Sequence, residues 1–144
     1  MANATQMTDA EARQVIMNAT QLRSNLPYRN AFRSLQGKGA NGAAQMASAA
    51  EDSDDRAAIQ LLIGTWNAIA ISTDGFNEAQ WKRFFSSQPV SLMWKTLSPG
   101  VAAIRTKKGD KFAGQFEALY NKYQPEAGKA YLSEEAQAVT AFFA

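Results

Sequence analysis

Histidine and cysteine are both absent from the 144 residues, and that removes most familiar side-chain chemistry. No histidine general base, Ser-His-Asp triad, cysteine nucleophile, or thiolate or imidazole metal site can be assembled. No disulfide framework constrains the fold. Catalysis would have to rest on carboxylates, Lys, Tyr or a carboxylate-held metal. With no side chain titrating near neutrality at its ordinary pKa, a switch at physiological pH is not expected.

The one dense carboxylate cluster is Glu51, Asp52, Asp54 and Asp55. Its oxygens suit Mg²⁺ or Ca²⁺, but the spaced ligands, glycine and distal Glu of a calcium loop are missing. The cluster stands at the start of a helix, where Asp52 or Ser53 caps and Asp54 and Asp55 complement the dipole. Capping is therefore the expected role, and a carboxylate-metal enzyme is the weakest of the functional readings. No cofactor is expected. Glu117 with Tyr120, Lys122 and Tyr123 resembles an acid–base group only superficially, because aromatics at helical spacing are usually core. Gly37–Gly42, GKGANG, lacks the strand, spacing and following GK[ST] of a phosphate loop.

Cations are unevenly spread. Lys82, Arg83, Lys95, Arg105, Lys107, Lys108 and Lys111 face only Asp110 between Ala79 and Phe116, and Arg23, Arg29, Arg33 and Lys38 form a second run without an acid. Arg29 and Arg33 share a helix face at i, i+4. Such patches meet phosphates with salt-dependent affinity, and Arg105, Lys107, Lys108 and Lys111 are the contacts a nucleic-acid reading selects. No zinc finger, RNA-binding aromatic signature or clear helix-turn-helix accompanies them.

These side chains must be carried by helices, since no stretch reads as a convincing strand. The organising stretch is Arg56–Ile71, RAAIQLLIGTWNAIAI. It is apolar nearly all round, the pattern of a helix surrounded by others, and too short and interrupted to span a bilayer. An all-α, single-domain bundle of six to eight helices around a buried central helix at about 54–72 follows. Residues 1–7 read as a flexible leader without a signal peptide or membrane anchor, and a cytoplasmic location is the default. Thr8 and Glu11 form a capping box for a helix with Ala12, Val15, Ile16, Ala19 and Leu22 inward. Pro27 starts a second helix and Gly37 stops it. Residues 37–52 are small and without aromatics, and read as a mobile loop with at most a short helix over Ala43–Ala50. Asn77 and Gln80 form a second box, with Phe76 and Trp81 as its hydrophobic staple. Ser98-Pro99 is expected to end one helix and start another, with a turn over Thr106–Asp110. Asp110 caps a helix bearing Phe112, Phe116, Leu119, Tyr120 and Tyr123, and Ser133 starts the last one.

The stretch Leu61–Tyr123 resembles a family of small helical bacterial domains to which no function is assigned. The likeness rests on WNAIAISTDG, FNEAQWKRFF, the Trp94–Leu97–Pro99 spacing, Arg105 and FEALYNKY. It implies the fold and offers no catalytic residues to carry over. Members are often tied to a membrane by an N-terminal helix, and this chain shows none.

The expected function is a non-enzymatic helical interaction or self-assembly module, binding a protein partner or itself. A phage or mobile-element accessory, virion or host-inhibitor protein is a fitting setting. Phe142 and Phe143 are adjacent, cannot both face one side, and are expected at a protein interface. Nucleic-acid binding through residues 105–111 is the runner-up.

Overall fold

The computed structural model describes residues 6–123 of the chain. Among them are seven helices and no strand: α1 (Asp9–Ser24), α2 (Leu26–Gln36), α3 (Gly42–Ala47), α4 (Asp54–Ser72), α5 (Glu78–Ser87), α6 (Val90–Lys108) and α7 (Gly114–Tyr123). This is an all-α bundle with α4 at its centre, packed by α2, α3, α6 and α7. Among the described residues, no helix is long and apolar enough to cross a membrane. Phe142, Phe143 and the helix expected from Ser133 lie outside the described residues.

The local start signals operate as their chemistry requires. The Thr8 hydroxyl accepts from the Glu11 amide at 3.1 Å, and the Glu11 carboxylate accepts from the Thr8 amide at 2.8 Å. The bond from the Thr8 amide, helped by the Thr8 hydroxyl, lowers the Glu11 carboxyl pKa from its ordinary value. Asn77 and Gln80 exchange the same pair of bonds at 2.9 Å each, while Phe76 meets Trp81 edge-on at 5.1 Å. Gln80 does more than cap. Its amide also donates to the Met7 carbonyl and to Asp9 Oδ1, both at 2.9 Å, and Met7 N–H donates to Gly75 O. Met7, placed in a flexible leader by sequence, is thus tied to the α4–α5 turn.

The inward stripe of α1 is Ala12, Ile16, Ala19 and Arg23, while Leu22 stays exposed. Sequence periodicity placed Leu22 inward. The stripe instead follows the i, i+4, i+7, i+11 line that ends on Arg23, whose guanidinium takes the buried place.

Pro99 does not end a helix. The buried residues Val90, Met93, Leu97, Val101 and Ile104 form one continuous face of α6 running past it. An internal proline costs about 3 kcal/mol. Full burial of Val101 and Ile104 contributes roughly 1.5–3 kcal/mol each, enough to hold the helix through the proline. The next residue, Gly100, permits the close crossing: a Cβ there would stand 3.1 Å from Ala43 O and 3.3 Å from Ile59 Cγ1.

The small residues read as a loose loop are the other half of that crossing. Gly42, Ala43, Met46 and Ala47 are buried in α3, which wedges between α4 and α6. Their smallness serves close packing. The segment is therefore an anchored helix, and Met46 is its anchor. Past α6, Gly109 takes φ +100° and Ala113 φ +60°. The chain turns there, so α7 begins at Gly114 and Asp110 caps nothing.

Trp66 is the hub of the core. It is fully buried, donates from Nε1 to the Tyr28 hydroxyl at 2.9 Å, and stacks on Phe116 at 5.7 Å. The Arg23 guanidinium lies over its ring at 5.7 Å.

Candidate functional site

Arg105, selected by sequence as a phosphate contact, is already engaged. Its Nη2 is 2.8 Å from Glu117 Oε1 and its Nε donates to Phe112 O at 2.9 Å. It braces the 109–113 turn and α7 against α6. Glu117 is held in that ion pair, and Tyr120 stacks on Trp94. Lys107 and Lys108 occupy the last turn of α6, where positive charge complements the helix dipole. Both are exposed, as is Lys111.

The second basic run is taken apart by the fold. Arg23 is buried, with Nε donating to Gln88 Oε1 at 3.0 Å. Burial pushes its pKa below the ordinary value, and the nearby Tyr28 phenol opposes that shift. Lys38 pairs with Asp55 at 3.0 Å. Arg29 and Arg33 remain exposed on α2. Arg29 and Arg33 thus share the exposed side of α2, while Arg23 and Lys38 belong to two other environments.

At the acidic cluster, the Ser53 hydroxyl accepts from Arg56 N–H at 3.1 Å and donates to Ala50 O at 2.6 Å. Asp54 and Asp55 follow in the first turn of α4. Among the described residues, no group of three or more acidic side chains gathers as a metal site.

The feature that sequence reasoning missed lies on α4. Its inner side buries Ile59, Leu62, Ile63, Trp66, Ile69 and Ala70. Its outer side leaves Ala57, Leu61, Gly64, Ala68 and Ile71 exposed. Leu61 is 40% and Ile71 56% accessible. These outer positions alternate steps of four and three residues, the spacing of a seam that receives another helix. The central helix is therefore not surrounded. The sequence concealed this because both sides are apolar, so no polar stripe marked the outward face. The signal that was present is the 4–3 alternation with a glycine at its centre.

α7 runs beside this seam in the same direction as α4. The Phe116 amide donates to Asn67 Oδ1 at 3.0 Å, and Lys122, farther along α7, lines one groove with Ile71. Between the two helices, a groove of about 820 Å³ is lined by Ala70, Ile71, Gln115, Ala118 and Lys122 and closed by Trp81. Lys122 Nζ sits 5.5 Å from the Trp81 ring centroid. A second concavity of about 600 Å³ lies along α6, with Trp94, Ser98, Ala102, Arg105 and Asp110 in its wall. The cation there is the one already paired with Glu117. Chemically, the α4–α7 surface offers apolar contact and shape with two charged side chains, Asp74 and Lys122, in its wall.

No family model, curated protein or solved structure matches this chain.

Proposed function

We propose that this chain is a non-enzymatic helical interaction module whose docking face is the outer side of α4 together with the groove toward α7. The single observation that carries this reading is the exposed apolar seam Ala57–Leu61–Gly64–Ala68–Ile71 on the central helix. Leu61 keeps 40% and Ile71 56% of its surface in solvent, so a substantial part of each apolar side chain is left uncovered by the fold. Isolated exposed apolar residues are ordinary, but a contiguous row at helix-pairing spacing is a mark of an interaction site.

The test is the double variant Leu61→Glu with Ile71→Glu, unfolded thermally in dilute solution. We expect the melting temperature to change by no more than that of an ordinary surface substitution, about 0.5 kcal/mol per site. A loss of several kcal/mol would mean the fold itself covers these side chains, and the docking face would be withdrawn.

A second reading rests on Lys107, Lys108 and Lys111, which are exposed and in no ion pair among the described residues. It predicts nucleic-acid affinity that falls steeply with salt. It is the weaker reading because Arg105 is committed to Glu117 and Phe112.

A further inference from the structure

We infer that the helix received by the α4 seam is α4 of a second copy of this chain, running antiparallel about a twofold axis. This inference rests on the docking face proposed above and assigns its occupant.

Size matching comes first. A Cβ added at Gly64 would meet nothing within 4 Å, so no contact inside the fold requires a glycine there. A mid-helix glycine is nonetheless destabilising relative to alanine. Leu61 stands one turn away and projects into solvent. When two copies of α4 are laid antiparallel with Leu61 opposite Gly64 of the partner, the same symmetry sets Gly64 opposite the partner's Leu61. It also sets Ala57 opposite Ala68 and Ala68 opposite Ala57. Each large side chain then falls on the other copy's gap, and the small pairs let the helix axes approach. An interface between identical copies needs this self-complementarity, residue for residue.

Charge points the same way. From Ala57 to Thr73 the helix carries no ionisable side chain, so nothing on the seam repels its own image or calls for a charged partner. The same register brings Asp54 opposite Ile71, where Lys122 and Asp74 both line the partner's groove. Asp54 is exposed and in no ion pair among the described residues. Its carboxylate would stand near Lys122 and Asp74 of the other copy at each end, so these ends add no net charge preference against self-pairing. Antiparallel packing also sets the positive end of one helix dipole beside the negative end of the other.

The extent is modest. From Ala57 to Ile71 the seam is about 21 Å long, so α4 alone is short of the ~800 Å² per partner of a standard interface. The rim formed by Gln115, Ala118 and Lys122 of α7 extends it. A reversible dimer with micromolar dissociation is the expected strength.

Two measurements on the full chain decide the matter. Light scattering across a dilution series should show twice the chain mass at about 100 μM, well above a micromolar Kd, and Gly64→Leu should return it to the monomer mass. Leucine is the better helix former, so circular dichroism should show that variant still folded. Because the chain has no cysteine, introduced thiols report geometry without background. Ala57→Cys mixed with Ala68→Cys should cross-link under oxidation. Ala57→Cys alone should not, because the two copies of residue 57 would stand about 16 Å apart, beyond the roughly 7 Å limit for a disulfide.

A chain that is monomeric at this concentration overturns the inference. So does self-linking of Ala57→Cys alone, which would indicate parallel helices, or a dimer indifferent to Gly64→Leu. Each of these leaves the docking face intact for another occupant. Only collapse of the Leu61→Glu, Ile71→Glu fold removes the face itself.

Discussion

Tyr28→Phe isolates one hydrogen bond in the middle of the core. The substitution removes an oxygen and nothing else, so it leaves the ring packing of Tyr28 on Phe32 in place. It takes away the acceptor for Trp66 Nε1, which lies 2.9 Å from that oxygen. Tyr28 is 1% and Trp66 0% accessible, so water cannot replace the acceptor without opening the core. An orphaned buried donor costs about 1–3 kcal/mol. Unfolding entropy near 2.1 cal/mol/K per residue makes each kcal/mol worth roughly 3 °C for a chain of this length. We therefore expect the melting temperature to fall by about 3–10 °C. The assay is thermal unfolding by circular dichroism, paired with the indole N–H resonance of Trp66, which should move toward the position of an unbonded indole. A midpoint unchanged within about 1 °C, together with an unmoved indole resonance, would refute the reasoning and mean that Trp66 has another acceptor.

Alkaline pH probes the same group. Burial pushes the Tyr28 phenol from 10.0 up to about 12, with the Trp66 hydrogen bond and the Arg23 charge opposing the shift. The folded pKa lies above the unfolded one, so this contribution is fully present below about pH 10 and is lost as pH rises toward 12, at roughly 1.4 kcal/mol per pH unit. Denaturant midpoints across that window should decline more steeply in the parent than in Tyr28→Phe, and parallel declines would sink the assignment. Arg56→Met should stabilise the fold. Arg56 is 1% accessible, and its Nε, Nη1 and Nη2 have no hydrogen-bond partner among the described residues. Burying an ion carries a penalty of several kcal/mol, which an apolar side chain of similar reach does not incur. A lower melting temperature for Arg56→Met would instead mean that the guanidinium is satisfied.

What could be read from the residues alone was whatever depends on neighbours three or four positions away. Thr8 with Glu11 and Asn77 with Gln80 are complete within a single turn, and both boxes form. The bounds of α4 follow from Ser53 and the Thr73 turn for the same reason. Pro99 was misread because the local rule is sound but loses to packing on Ala43 and Ile59, residues far away in sequence. Gly42–Ala47 looked like a linker because small residues suit both a flexible chain and a close helix crossing. Composition cannot separate the two without knowing that α6 lies across them. Arg23 and Gln88, 65 residues apart, form a buried polar pair that no periodicity announces. The α4 seam was the subtlest case, since an apolar face turned outward has the same composition as one turned inward.

The bonds that hold the start of the chain have a consequence for its biogenesis. α1 is anchored through Met7 to Gly75, through Met7 and Asp9 to Gln80, and through Arg23 to Gln88. All of these acceptors and donors are made long after α1 itself. At translation rates of about 5–20 residues per second, α1 waits roughly 4–15 s before its polar partners exist. α1 packs on α2 and α4 as well as α5, so its apolar contacts can form before the polar anchors that fix it.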